Sequence, residues 1–200
     1  MNKAHFFAHL HKVRTHRKWV RHYCSKVGLH WQGLIHDLSK YSPTEFWESV
    51  EYYQGNCTPI VACKKDKGYS LAWMHHRGRN KHHREYWTDY YDEGTASIAM
   101  PYKYAVEMLC DFLAAGKAYN GPAFTYEEEL KWWENQLCKN ICIHPQTAKF
   151  ITLALQRIAN GEELSTSLVA QCYGRATSWA LAAGYTVECF ERSDSFKERL

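Results

Sequence analysis

The chain has 200 residues, 46% of them hydrophobic and 15% aromatic, which suits one domain with a sizeable core and excludes a disordered polymer. A formal net charge of +4 does not by itself argue for a nucleic-acid partner. No segment approaches the ~18 apolar residues of a membrane span, and the basic N-terminus lacks the apolar run of a signal peptide.

Helical periodicity runs from about Phe6 to Val27, with Phe6, Leu10, Val13, Val20, Tyr23 and Val27 at spacings of three, four and seven. His16 falls in this apolar stripe, either as a core histidine or as a ligand, whereas His11 and His22 fall on the basic face. Lys3, Lys12, Arg14, Arg17, Lys18, Arg21 and Lys26 all precede Asp37, the first acid. They form a solvated helix face or a field that attracts anionic substrates. Gly28 predicts the helix end. A second helix is expected from about Trp31 to Lys40, with Trp31, Leu34, Ile35 and Leu38 on its apolar side. It carries the pair His36-Asp37. On a helix, Lys40 lies at i+4 and i+3 from them, so all three can approach one cleft. Imidazole and carboxylate suit a hard or borderline divalent metal, and an ammonium beside them suits a phosphate.

Ser42-Pro43-Thr44-Glu45 reads as a helix start, with Ser42 as N-cap, Pro43 at N1 and Glu45 at N3. Gly55 to Gly68 is expected to be a loop. A helix from near Tyr69 leads into His75-His76, and a turn at Gly78 and Asn80 separates this doublet from His82-His83. Four histidines in nine residues form either an exposed basic loop or a site. Met100-Pro101 opens a long helix that stops at Asn120-Gly121. Within its apolar face lies Asp111, one turn after Glu107. A carboxylate there needs a basic partner or a metal. Further helices are expected around Thr125 to Cys138, Pro145 to Asn160 and Leu168 to Ala183, with no strong strand alternation. Cys24, Cys57, Cys63, Cys110, Cys138, Cys142, Cys172 and Cys189 form no C-x-x-C pair. They predict buried thiols in a reduced, cytoplasmic protein.

His16, then His36-Asp37, then the histidine cluster, then Asp111 stand in order on helical segments. This order resembles the HD-domain superfamily of metal-dependent phosphohydrolases over about residues 9–120. The anchor Ile35-His36-Asp37-Leu38-Ser39-Lys40 looks like its HD-x-x-K form. Within the superfamily the chain looks most like an uncharacterised bacterial and phage family, through Thr15 to Lys18, Gly33 to Glu45, His76 to Trp87 and Met100 to Asp111.

The resemblance implies an all-α, HD-like helical bundle at 1–121, with a helical extension at 122–200 packed on it. It implies His16, His36, Asp37 and Asp111 as a four-ligand core. Asp37 bridges two divalent ions (Mn, Fe or another transition metal), and His76 with one or both of His82 and His83 completes the second. The implied activity is hydrolysis of a nucleotide or other phosphate ester through a metal-activated water. Asp37 and Lys40 are then catalytic, and Lys40, Arg77, Arg79 and Arg84 are available for the substrate phosphate. Tyr86 can stack on a base, and Trp87 suits core packing. Two alternatives stay open: an HD-type di-iron oxygenase, and a non-enzymatic, metal-stabilised module that binds a nucleotide or a protein.

Overall fold

The apolar stripe of the first segment becomes α1 (Lys3–Lys26), which buries Val13, Val20 and Tyr23 together with His9 and His16. His11 and His22 are exposed on its other side, and the chain leaves the helix through Gly28, φ 77°. The computed structural model describes residues 3–55, 57–92 and 94–187. Cys189 and positions 188–200 of the C-terminal extension lie outside the described residues.

The long helix α6 (Tyr102–Asn120) buries Ala105, Val106, Met108, Leu109, Cys110, Leu113 and Ala114 and packs along α1. Behind this pair come α7 (Tyr126–Leu137), α8 (Pro145–Ala159) and α9 (Thr166–Ala182). Each starts on a side chain that accepts a backbone N–H: Thr125, His144 and Ser165 respectively. Such caps satisfy donors that the first helical turn leaves free. One apolar cluster joins Val20 and Cys24 of α1 to Leu109 and Leu113 of α6, Phe150 and Leu155 of α8, and Val169 and Ala176 of α9. Each of the larger side chains contributes about 1.5–3 kcal/mol by burial. Among the described residues the fold is all-α apart from one small hairpin, and no described helix is long and apolar enough to cross a membrane. Cys24, Cys63, Cys110 and Cys172 are buried free thiols, while Cys138 is exposed.

Three local expectations change. The stretch expected as a loop contains α4 (Pro59–Lys67), with Pro59 at its first turn and Gly68, φ 81°, at its end. Only Ala62 and Cys63 are buried there, too few to write a helical period. An antiparallel hairpin of β1 (Thr88–Tyr91) and β2 (Gly94–Ser97) pairs Thr88 with Ser97 and Tyr91 with Gly94. Its four-residue strands are too short for alternation to register.

The second helix, α2, covers only His30–Ile35, and the side expected inside faces out. Trp31, Leu34, Ile35 and Leu38 are 67, 51, 43 and 50% exposed. The face that packs is Gly33, where an added Cβ would stand 2.9 Å from Cys24 Cβ and 3.2 Å from Arg21 Cα. α2 therefore lies on α1 through a glycine.

Candidate metal centre

The helix that would have carried His36, Asp37 and Lys40 breaks at this point. His36 is extended, φ −48° and ψ 128°, and Asp37 is left-handed, φ 54°. Aspartate is one of the few side chains that tolerate this conformation. Arg17 of α1 pins the turn, donating from Nε to His36 O and from Nη2 to Leu34 O, each at 2.8 Å. These carbonyls lose helical partners where α2 ends. A 3-10 turn over Leu38–Tyr41 follows and sets Lys40 Nζ 2.6 Å from Asp37 Oδ2. Proximity of the three groups thus arises from a turn rather than from helical spacing.

Ser42 then starts α3 (Pro43–Glu51), accepting the Glu45 N–H at 3.4 Å. Glu45 holds the N3 position, but its carboxylate turns to α5 (Leu71–Arg77). It accepts His75 Nδ1 at 2.6 Å and His76 Nδ1 at 2.7 Å. Across the site, Glu107 of α6 accepts His36 Nδ1 at 2.9 Å and stands 3.3 Å from His82 Nδ1. Since a carboxylate only accepts, each of these contacts puts the imidazole proton on Nδ1 and leaves the Nε2 lone pair free.

Those Nε2 atoms converge on two carboxylates. Asp37 Oδ1 lies 3.3 Å from His76 Nε2 and 3.4 Å from His82 Nε2. Asp37 Oδ2 lies 3.3 Å from His36 Nε2 and 3.6 Å from His16 Nε2. Asp111 Oδ1 lies 3.0 Å from His16 Nε2 and 3.5 Å from His36 Nε2. Two donor sets result: His16, His36, Asp37 and Asp111; and Asp37, His76, His82 and His83, each with donor atoms within 4.8 Å of one another. A further group, His36, His82 and Glu107, is the hydrogen-bonded rear of the site.

Despite the short distances, Nε2 of His36, His82 and His83 and Oδ1 of Asp37 have no hydrogen-bond partner among the described residues, while Asp37 Oδ2 has only the Lys40 ammonium. Buried polar atoms left this way are costly and uncommon. Imidazole nitrogens and carboxylate oxygens crowded together, lone pairs inward, fit a divalent transition metal. These residues could hold one.

The electrostatics keep the carboxylates ionised and, before a metal binds, favour a proton on His36. Burial pushes Asp37 up, but His36, Lys40 and His76 outweigh it and hold the carboxyl well below its usual range. Asp111 is held down in the same way by His16 and His36. Burial lowers Lys40, yet Asp37 and Asp111 raise it to about 12, so it stays an ammonium. Burial also lowers His36, but Asp37, Asp111 and Glu107 hold it well above the usual histidine value. A proton and a metal compete for that nitrogen. Burial, then His82 and His76, keep His83 neutral.

A cavity of about 370 Å³ opens on the cluster, lined among others by His16, Lys40, His76, His83 and Asp111. Its cations are Lys40 and Lys12; Arg77, Arg79 and Arg84 do not line it. Arg84 instead donates to Cys142 O at 2.7 Å and pairs with Glu85 at 2.8 Å. Trp87 is buried, with Nε1 donating to Lys81 O, and Tyr86 lies outside the cavity lining. His75 belongs to neither donor set. Sequence reading gave no site role to Glu45 or Glu107; the i, i+4 spacing of Glu107 and Asp111 was the available signal. His9, which lines the cavity, also escaped it, and Lys12, another lining residue, was read only as one of the basic N-terminal run.

A helical chain that presents one shared carboxylate between two histidine-rich donor sets is a candidate metal-binding protein. It belongs to a family of unknown function, DUF5662, whose model matches residues 5–157, a span that contains both donor sets. Comparisons with curated proteins and with solved structures find no match.

Proposed function

We propose that this protein is a metal-dependent phosphohydrolase of the HD type, acting on a nucleotide or other phosphate ester. The observation that carries this reading is Asp37, whose two oxygens face different histidine sets while Lys40 stands against the same carboxylate. Divalent ions held there would lower the pKa of a bound water and polarise phosphoryl oxygens. Asp37 joins the two ligand sets. Glu45 and Glu107 fix the imidazoles and raise their basicity. Lys40 adds a fixed positive charge at the cavity wall, where charge on the non-bridging phosphoryl oxygens develops in the transition state. Lys12, which lines the cavity while donating to Ala118 O, adds positive charge near the substrate where the three arginines do not. The free thiols support a reducing compartment, and the cytoplasm is part of this proposal.

The test is a panel of phosphate mono- and diesters with the protein loaded with Mn²⁺, Fe²⁺ or Mg²⁺. Phosphate release that depends on the metal and is lost in Asp37→Asn supports the reading. Failure with all three metals, together with O₂ consumption by the reduced iron form, replaces it with the di-iron oxygenase.

A further inference from the structure

Next to the cavity at the metal cluster lies a second one, of about 510 Å³. The two share Cys57, Thr58, Phe112, Ala115, Tyr119 and Trp132, so they adjoin along one wall. The second is also lined by Glu129 of α7, only 7% exposed. No described residue gives this carboxylate a hydrogen bond or an ion pair. The nearby cations are engaged elsewhere: Lys12 donates to Ala118 O, Lys117 lies over the rings of Trp19 and Phe124, and Lys131 pairs with Glu128. The acid is also pressed into place. A Cβ on Gly116 would stand 2.1 Å from Glu129 Oε2 and 2.6 Å from Phe124 Cε2, so a glycine in α6 makes the room it occupies. Burial, then the charge of Asp111, raise Glu129 to about 7. A largely buried acid with no protein donor, lining a cavity, is suited to a ligand that supplies the donor.

We infer that this second cavity receives the organic half of the substrate and that Glu129 accepts an N–H from it. The proposal rests on the phosphohydrolase reading only for the placement of the phosphate half. Asp111 and Gly116 are five residues apart on α6, about 7.5 Å along the helix axis. The nitrogen is therefore several bonds from the phosphorus. Tyr119 and Trp132, 43 and 42% exposed, line the way; Lys12 lies over one face of the Tyr119 ring and Phe112 packs edge-on against Trp132, which leaves their exposed sides for a ligand. They suit a flat ring with an N–H edge by stacking or an alkylammonium by cation–π attraction.

The two sources separate by direct binding. Guanosine 5′-monophosphate, 6-aminohexyl phosphate and phenyl phosphate are titrated calorimetrically into the Mn²⁺-loaded full chain, wild type and Glu129→Gln, with phosphate release followed separately. At least one N–H-bearing ester binds wild type about 10-fold or more tighter than phenyl phosphate, and Glu129→Gln removes most of that advantage. Preference for the guanosine ester assigns the ring edge; preference for the aminohexyl ester assigns the ammonium. Should Glu129→Gln misfold, Glu129→Asp, which withdraws the acid by one methylene, reports the same loss. The inference is overturned if neither N–H ester is preferred, including by failure to bind, or if the preference survives both substitutions. If binding behaves as described while no ester is hydrolysed, the hydrolase reading fails and the subsite stands.

Discussion

Asp37 holds a left-handed backbone, φ 54°, which costs of order 1 kcal/mol for a residue with a side chain. The strain places each of its oxygens against a different pair of imidazoles. Lys40 touches the same carboxylate but cannot ligate a metal, because an ammonium has no lone pair. Lys40→Ala is therefore expected to keep bound metal and fold while phosphate-ester turnover falls about 100- to 1,000-fold, the usual size of one electrostatic donor. Metal analysis beside initial-rate kinetics checks this; loss of the metal would make Lys40 a structural counter-ion instead. Glu107 serves both donor sets from behind, through His36 and His82. Glu107→Gln replaces a pure acceptor with a group that can also donate. It should weaken metal affinity about 10- to 100-fold, read by competition with a chelating dye.

At the scale of elements, the turn after α2 decides whether the site exists. Arg17 satisfies two carbonyls there, so a residue of the basic N-terminal run has a specific task beyond its charge. Arg17→Ala leaves Leu34 O and His36 O without these donors, a loss of about 0.5–1.5 kcal/mol for each bond. It should lower both the melting temperature and metal content. Lys18→Ala, an exposed neighbour, is the control and should change neither.

Much of the element order was legible. The stripe Val13, Val20, Tyr23 placed His16 on the inside of α1. Ser42-Pro43 and Asn120-Gly121 marked real helix ends. The side of α2 that packs was not legible, because periodicity assumes that apolar residues turn inward. Here Gly33 allows an approach to Cys24 that Trp31 and Leu34 would block. α4 escaped because two buried residues make no period. In the site, the order of histidines and aspartates gave the residues that the fold brings together. Their supports, Glu45 and Glu107, look in sequence like a helix cap and an ordinary helix carboxylate, and only tertiary packing gives them their imidazoles.

Across the whole molecule, the apolar core runs without interruption from α1 through α6 to α8 and α9. The donors come from α1, the turn after α2, α5, the turn bearing His82 and His83, and α6. Residues 16 and 111 meet because α1 and α6 pack along each other. This pair thus supplies His16 and Asp111, the turn after α2 supplies His36 and Asp37, and α5 and the following turn bring the histidines of the other set to Asp37. Metal content of anaerobically purified full-length protein tests this account most directly, with Asp37→Asn measured in parallel after exposure to Mn²⁺ and Fe²⁺. The account predicts about two divalent ions per chain in the wild type and a loss at both positions from the single substitution, because one carboxylate serves both sets. A wild-type protein that binds neither metal, or an Asp37→Asn protein that keeps its full complement, would contradict it.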